Sequence, residues 1–171
     1  MSKQVRAVMI TGPHFQDEEY IYPFYRLQEA GFKLDIAIKD KAVAVGKYGV
    51  PAKPTMDTKD LKESDYDLVV LPGGHEAPDR VRQDPHVLKF VKDMADKGKV
   101  VSAICHGPWI MISAKVVRGR KMTAYEGIKD DLENAGAEYV AAPVVVDKNF
   151  VTSPHYRNNG DWMRETINKF N

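Results

Sequence analysis

The sequence predicts an α/β fold, a mostly parallel sheet with helices on both faces, forming one domain over residues 1–171. Short apolar runs alternate with segments of helical periodicity along the whole chain. Several of those runs end abruptly in glycine or proline turns. The 171 residues, 43% hydrophobic and 29% charged, suffice for one well-filled core and are few for two.

Residues 5–11 are a strand-length apolar run closed by Gly12-Pro13. Residues 17–30 then place Tyr20, Phe24, Leu27 and Gln28 at helical spacing and stop at Gly31. Residues 33–38 read as the second strand. Residues 42–45 and 50–56, around Gly46-Lys47-Tyr48-Gly49, read as a hairpin at the edge. Residues 67–71 are a buried-strand run ending in Pro72-Gly73-Gly74, and Asp84-Pro85 supplies a cap and a first-turn proline for a helix with Leu88, Val91, Met94 and Ala95 on one face. A strand at 99–104 leads into the Cys105 helix. After it come a strand near 121–124, a helix over 127–135, strand material in 138–146 and 150–152, and a last helix bearing Trp162, Thr166 and Phe170.

Charge excludes some function classes. Lys and Arg number 25 against 24 Asp and Glu and are scattered, so neither a nucleic-acid footprint nor a polybasic membrane anchor is expected. The expected partner is a small molecule or a protein. Met1-Ser2-Lys3-Gln4-Val5-Arg6 runs into an apolar stretch too short for a signal sequence, and no apolar run approaches the length of a spanning helix. A single cysteine cannot form an internal disulfide. Together these features predict a cytoplasmic protein in a reducing compartment.

In such a sheet, ligands bind at the carboxyl ends of the strands. Those ends carry residues 12–16, 73–76, 105–106, 125–126 and 153–155, and four of the five histidines fall there; His86, at a helix start, does not. The most informative stretch is Val100-Val101-Ser102-Ala103-Ile104-Cys105-His106-Gly107-Pro108. A lone cysteine beside Ile104 is by default a small buried hydrophobe. Here, however, Gly107-Pro108 forces a sharp strand-turn-helix elbow, the setting of hydrolase nucleophiles with sulfur in place of the serine oxygen. The unpaired N–H groups of the following helix are expected to favour thiolate over thiol. Gly73-Gly74 lacks the rest of a phosphate-binding motif. The position four after His75 is Asp79 and there is no cysteine pair, so ligand spacing predicts no metal, and no cofactor is expected.

Leu71-Pro72-Gly73-Gly74, Ala103-Ile104-Cys105-His106-Gly107-Pro108, Arg118-Gly119-Arg120-Lys121 and Gly127-Ile128-Lys129-Asp130-Asp131 resemble the PfpI family of intracellular proteases and stress proteins, of the class I glutamine amidotransferase-like superfamily. The resemblance spans nearly the whole chain. It implies a flavodoxin-like three-layer sandwich, with Cys105 as nucleophile, His106 as its adjacent catalytic histidine and Glu19 as the carboxylate set against the sulfur. A buried Glu19 facing a thiolate would hold its proton, so its pKa is expected to be raised. Successive helical residues point about 100° apart, so His106 is not expected to lean on Cys105. The family's answer is a carboxylate from a neighbouring subunit. Asp79 matches that position, which implies a homodimer or higher oligomer with the site completed at an interface.

The backbone N–H groups of Gly74 and His106 are the expected oxyanion donors. His75, Tyr125 and His155 are expected to line the substrate pocket. Gln16 stands where some relatives carry a further glutamate, and Ser153-Pro154-His155 where many carry serine-arginine, with Arg157 the nearest replacement. His155-Tyr156-Arg157 lacks the glutamate of true glutamine amidotransferases, so ammonia channelling is not expected. Three functions stay open: an enzyme acting on reactive carbonyls (glyoxalase or deglycase), a cysteine peptidase, and a redox-sensing or chaperone-like stress protein in which Cys105 is oxidised.

Overall fold

Strand side chains alternate between the two faces of a sheet, and here both faces are buried. In the computed structural model, which describes residues 4–171, Val8, Ile10, Val69, Leu71, Val101 and Ala103 fill one core, and Ala7, Met9, Leu68, Val70, Val100 and Ile104 fill the other. The strands are β1 (Arg6–Ile10), β2 (Lys33–Ala37), β3 (Ala44–Val45), β4 (Pro51–Ala52), β5 (Leu68–Leu71), β6 (Val100–Ile104), β7 (Lys121–Met122), β8 (Glu138–Tyr139), β9 (Val145–Asp147) and β10 (Phe150–Ser153). The helices are α1 (Asp17–Glu29), α2 (Ala77–Val81), α3 (Pro85–Asp96), α4 (Pro108–Ser113), α5 (Lys129–Asn134) and α6 (Asn159–Asn168). Val87, Phe90, Val91 and Met94 of α3, with Ile110 and Met111 of α4, close the first core. Tyr20 and Leu27 of α1, with Trp162, Met163 and Ile167 of α6, close the second. The result is a three-layer sandwich.

The central sheet runs β2-β1-β5-β6-β10-β9, all parallel except the edge strand β9. Numbered by chain order, its five parallel strands stand 2-1-3-4-5, the flavodoxin-like order, with the strand order reversing between β1 and β5. In this order ligands bind outside the carboxyl ends of the strands that flank the reversal, which here are β1 and β5, next to β6.

Two expectations are corrected. The hairpin β3–β4 does not extend the sheet; it forms its own two-stranded piece over the start of α1. There the Asp17 carboxylate accepts the N–H groups of Tyr48 and Val50, each at 2.9 Å. β7 also stays outside the main sheet and pairs with β8 for only two residues. One residue beyond it, Thr123 N–H donates to the Thr152 side chain at 2.9 Å instead of to a strand carbonyl. The short helix α2, just beyond the strand-end segment 73–76, was not anticipated. Met1-Ser2-Lys3 of the N-terminal reading lies outside the described residues. Among those residues no helix is long and apolar enough to cross a membrane.

Candidate functional site at the elbow after β6

β6 is followed by a residue of unusual backbone. Cys105 has φ of 59°, in the left-handed region that costs a residue with a Cβ about 1–2 kcal/mol. The surroundings hold it there: its N–H donates to Ser153 O and its C=O accepts from Tyr125 N–H, both at 2.9 Å. Gly107 and Pro108 then start α4 directly. Because Cys105 is not helical, the 100° argument fails at this position. Its Sγ lies 3.2 Å from Nδ1 of His106, so adjacent side chains that would diverge on a helix meet at the elbow.

Glu19 reaches the sulfur from the other side. Its side chain is wholly buried on the first turns of α1. Pro23, inside the same helix, has no N–H to give to the Glu19 carbonyl four residues back. Glu19 Oε2 accepts Gly73 N–H at 2.7 Å, Oε1 has no hydrogen-bond partner among the described residues, and the carboxyl as a whole interacts with Cys105. Burial pushes the Glu19 pKa up to about 8 against the opposing pull of the Gly73 N–H, so the carboxyl is neutral at pH 7 and can donate to sulfur. A side chain on Gly73 would strike Glu19 Oε2 (2.5 Å) and Cys105 Cβ (2.7 Å), so only glycine lets the three groups converge.

The expected thiolate preference is corrected. The backbone N–H groups of His106 and Gly74 do face Cys105 and favour its charged form, but burial and then the Glu19 carboxyl outweigh them and hold the thiol pKa up. The resting sulfur is a thiol and needs a base in contact. His106 can serve: burial, then the charge of His75, lower its pKa, so the imidazole is neutral at pH 7. Its ring stacks on Tyr125 (centroids 4.8 Å apart) and meets Trp109 edge-on (4.9 Å).

The other sequence-predicted residues divide. Gly74, at φ of 124°, aims its N–H at the sulfur, and Tyr125 covers His106. His75 is exposed, close enough to act on His106 through its charge. Asp79 is exposed on α2, and among the described residues its carboxylate makes no hydrogen bond or ion pair. His155 is turned into its own loop, where Nδ1 accepts both the backbone N–H and the guanidinium of Arg157 at 3.2 Å; no hydrogen bond or ring contact joins it to Cys105 or His106 among the described residues. Sequence reasoning missed Trp109 and Asp131. Trp109 Nε1 donates to Asp131 Oδ2 at 2.8 Å, and Asp131 exerts a weak upward pull on the His106 pKa. Nothing in the linear pattern ties α5 to the elbow. It also missed the grouping of His14, from the β1–α1 loop, with His75 and Glu76, because ligand spacing within one segment cannot register donors from two loops.

The raised Glu19 pKa makes a signed prediction. Glu19→Gln stays neutral at every pH, whereas the unfolded wild-type carboxyl ionises above its ordinary value near 4.5 and the folded one holds its proton to about 8. Wild-type stability relative to the variant is therefore greatest below pH 4.5 and declines as pH rises toward 8, by on the order of 1 kcal/mol per pH unit. Urea unfolding of both proteins at several pH values between 4 and 9 measures it. A difference that stays flat from pH 5 to 8 would mean that native Glu19 is ionised.

Comparison with known proteins adds to this geometry. Residues 5–169 match the model of the DJ-1/PfpI family. The chain is 43% identical over 163 residues to deglycase PH1704 of Pyrococcus horikoshii, covering 95% of this chain and 98% of that one. It is 38% identical over 170 residues to the putative cysteine protease YraA of Bacillus subtilis, covering 98% of both. Among solved structures, a two-domain protein of Anabaena variabilis containing DJ-1/ThiJ/PfpI-like and ferritin-like domains superposes with a TM-score of 0.95 at 30% identity. That match covers 97% of this chain and 48%, about half, of the two-domain protein.

Proposed function

This chain belongs to the DJ-1/PfpI family, and on that premise we propose that it is a cysteine-dependent deglycase, removing reactive-carbonyl adducts through Cys105. Relatives at this level of identity are named deglycases, which makes the chain an enzyme of the hydrolase or lyase kind. The observation that supports the cysteine's role is the elbow itself: Cys105 Sγ lies 3.2 Å from a neutral imidazole nitrogen and beside a protonated carboxyl.

On a methylglyoxal adduct of an amine, the sulfur displaces nitrogen from the carbinol carbon. The S–C bond forms, the C–N bond breaks, and the thiol proton passes through His106 to the departing amine. A proton then moves from the sulfur-bearing carbon to the neighbouring carbon through an enediol, giving an α-hydroxy thioester without any oxidant. Water cleaves the thioester to lactate and restores the thiol. The oxyanion formed in that last step lies next to sulfur, where the N–H groups of Gly74 and His106 point. Glu19 acts as a neutral donor to sulfur and stabilises each transient thiolate.

Asp79 is proposed to reach His106 of a second subunit in a homo-oligomer. Its carboxylate is exposed and unpartnered, and Nε2 of His106 takes no hydrogen bond among the described residues. The similarity to a putative cysteine protease supports a second reading, peptide hydrolysis through the same nucleophile. Reduced protein incubated with a methylglyoxal-modified amine is expected to release free amine and lactate in equal amounts. The rate per subunit should fall when the protein is diluted below its dimer dissociation constant. No lactate between pH 6 and 9 would refute the deglycase reading, and cysteine-dependent cleavage of a fluorogenic peptide in its place would establish the second.

A further inference from the structure

We propose that His14, His75 and Glu76 bind a divalent transition-metal ion of the zinc class near the Cys105–His106 elbow. The three come from two loops, after β1 and after β5, which the parallel pairing of those strands sets side by side. One ligand atom from each lies within 4.8 Å of the others. His14 Nε2 and Glu76 Oε2 are 3.5 Å apart. Donors around a tetrahedral zinc, at bonds of about 2.1 Å, stand about 3.4 Å from one another, so this pair already spans one edge of the coordination polyhedron. His75 is exposed, and its side chain is free to close the remaining distance.

The frame behind the donors is fixed. His14 holds φ of 58°, with its N–H donating to Val45 O at 2.8 Å, and the loop that carries it packs directly against Gly74. Arg80, one turn along α2, pairs with Glu76 through Oε1 and leaves Oε2 directed at His14. That is the arrangement of an outer partner that orients a metal-binding carboxylate. Two imidazole nitrogens and one carboxylate oxygen favour zinc, nickel or copper over magnesium or calcium, which take all-oxygen sites. Three protein ligands leave at least one position open to water.

Zinc titration by calorimetry tests the site. The Cys105→Ala protein is the background, because the sulfur and His106 could otherwise bind zinc themselves. One zinc per chain is expected in that background. His14→Gly, which keeps the positive φ without strain, and His75→Ala, each added to it, are expected to weaken zinc binding roughly tenfold or more with unchanged circular dichroism. Magnesium at millimolar concentration should not compete. Zinc binding that disappears with Cys105 alone, or that His14→Gly and His75→Ala leave unchanged, overturns the proposal. Neither outcome bears on the deglycase reading, which the lactate assay tests separately.

Discussion

Cys105→Ser is expected to lower kcat/KM for the methylglyoxal adduct by about 10⁴-fold or more while shifting the melting temperature by only a few degrees. The substitution keeps a small side chain at the same left-handed position, so packing changes little. What changes is proton transfer. A serine hydroxyl is far less acidic than a thiol, and among the described residues the base in contact is a neutral imidazole 3.2 Å away. Burial lowers that imidazole's pKa, so it is a weaker base than an exposed histidine. No carboxylate within the described chain hydrogen-bonds its far nitrogen to strengthen it. Such a base can take a proton from sulfur during attack and is badly mismatched to an alcohol. Steady-state kinetics on both proteins measure the ratio. A serine variant within tenfold of wild type would show that sulfur is not the attacking atom.

Gly107→Ala is expected to destabilise the fold by about 3 kcal/mol or more, lowering the melting temperature by roughly 6–12 °C. Gly107 has an ordinary helical φ of −51°, so the loss cannot come from a forbidden dihedral. It comes from space: an added Cβ would penetrate the carbonyl oxygen of Leu71 and lie 2.9 Å from that of Ile104. Both obstacles are backbone at the ends of paired strands, and neither can rotate away. Gly31→Ala is the control. Its φ of 81° carries the left-handed penalty, but nothing lies within 4 Å of the new methyl, so about 1 kcal/mol is expected. Calorimetric melting of the two variants separates the causes. Equal losses would mean that the elbow relaxes around the methyl.

The fold was largely legible because its signals are local. Residues 5–11, 67–71 and 99–104 are continuous apolar runs because both faces of β1, β5 and β6 are buried, and Gly31 and Asp84-Pro85 punctuate helices through their own dihedrals and caps. The misplacement of β3, β4 and β7 has the opposite origin. Two-residue strands carry too little pattern to say which sheet they join, and hydrogen bonds from Tyr48, Val50 and Thr123 to side chains elsewhere decided it.

The site divides along the same line. The chain's order of residues alone determined a cysteine at a strand-to-helix elbow, with a histidine beside it and a carboxylate on the first helix. Only the tertiary structure decided how they act. It set Cys105 at a positive φ, so that neighbouring side chains meet, and buried Glu19 deeply enough to keep its proton. It also raised the thiol pKa where helix-end N–H groups alone would have lowered it. Burial is a property of everything packed around a group, drawn here from α1, β5 and β6 together, and a charge's cost in that environment exceeds any preference encoded by its immediate neighbours.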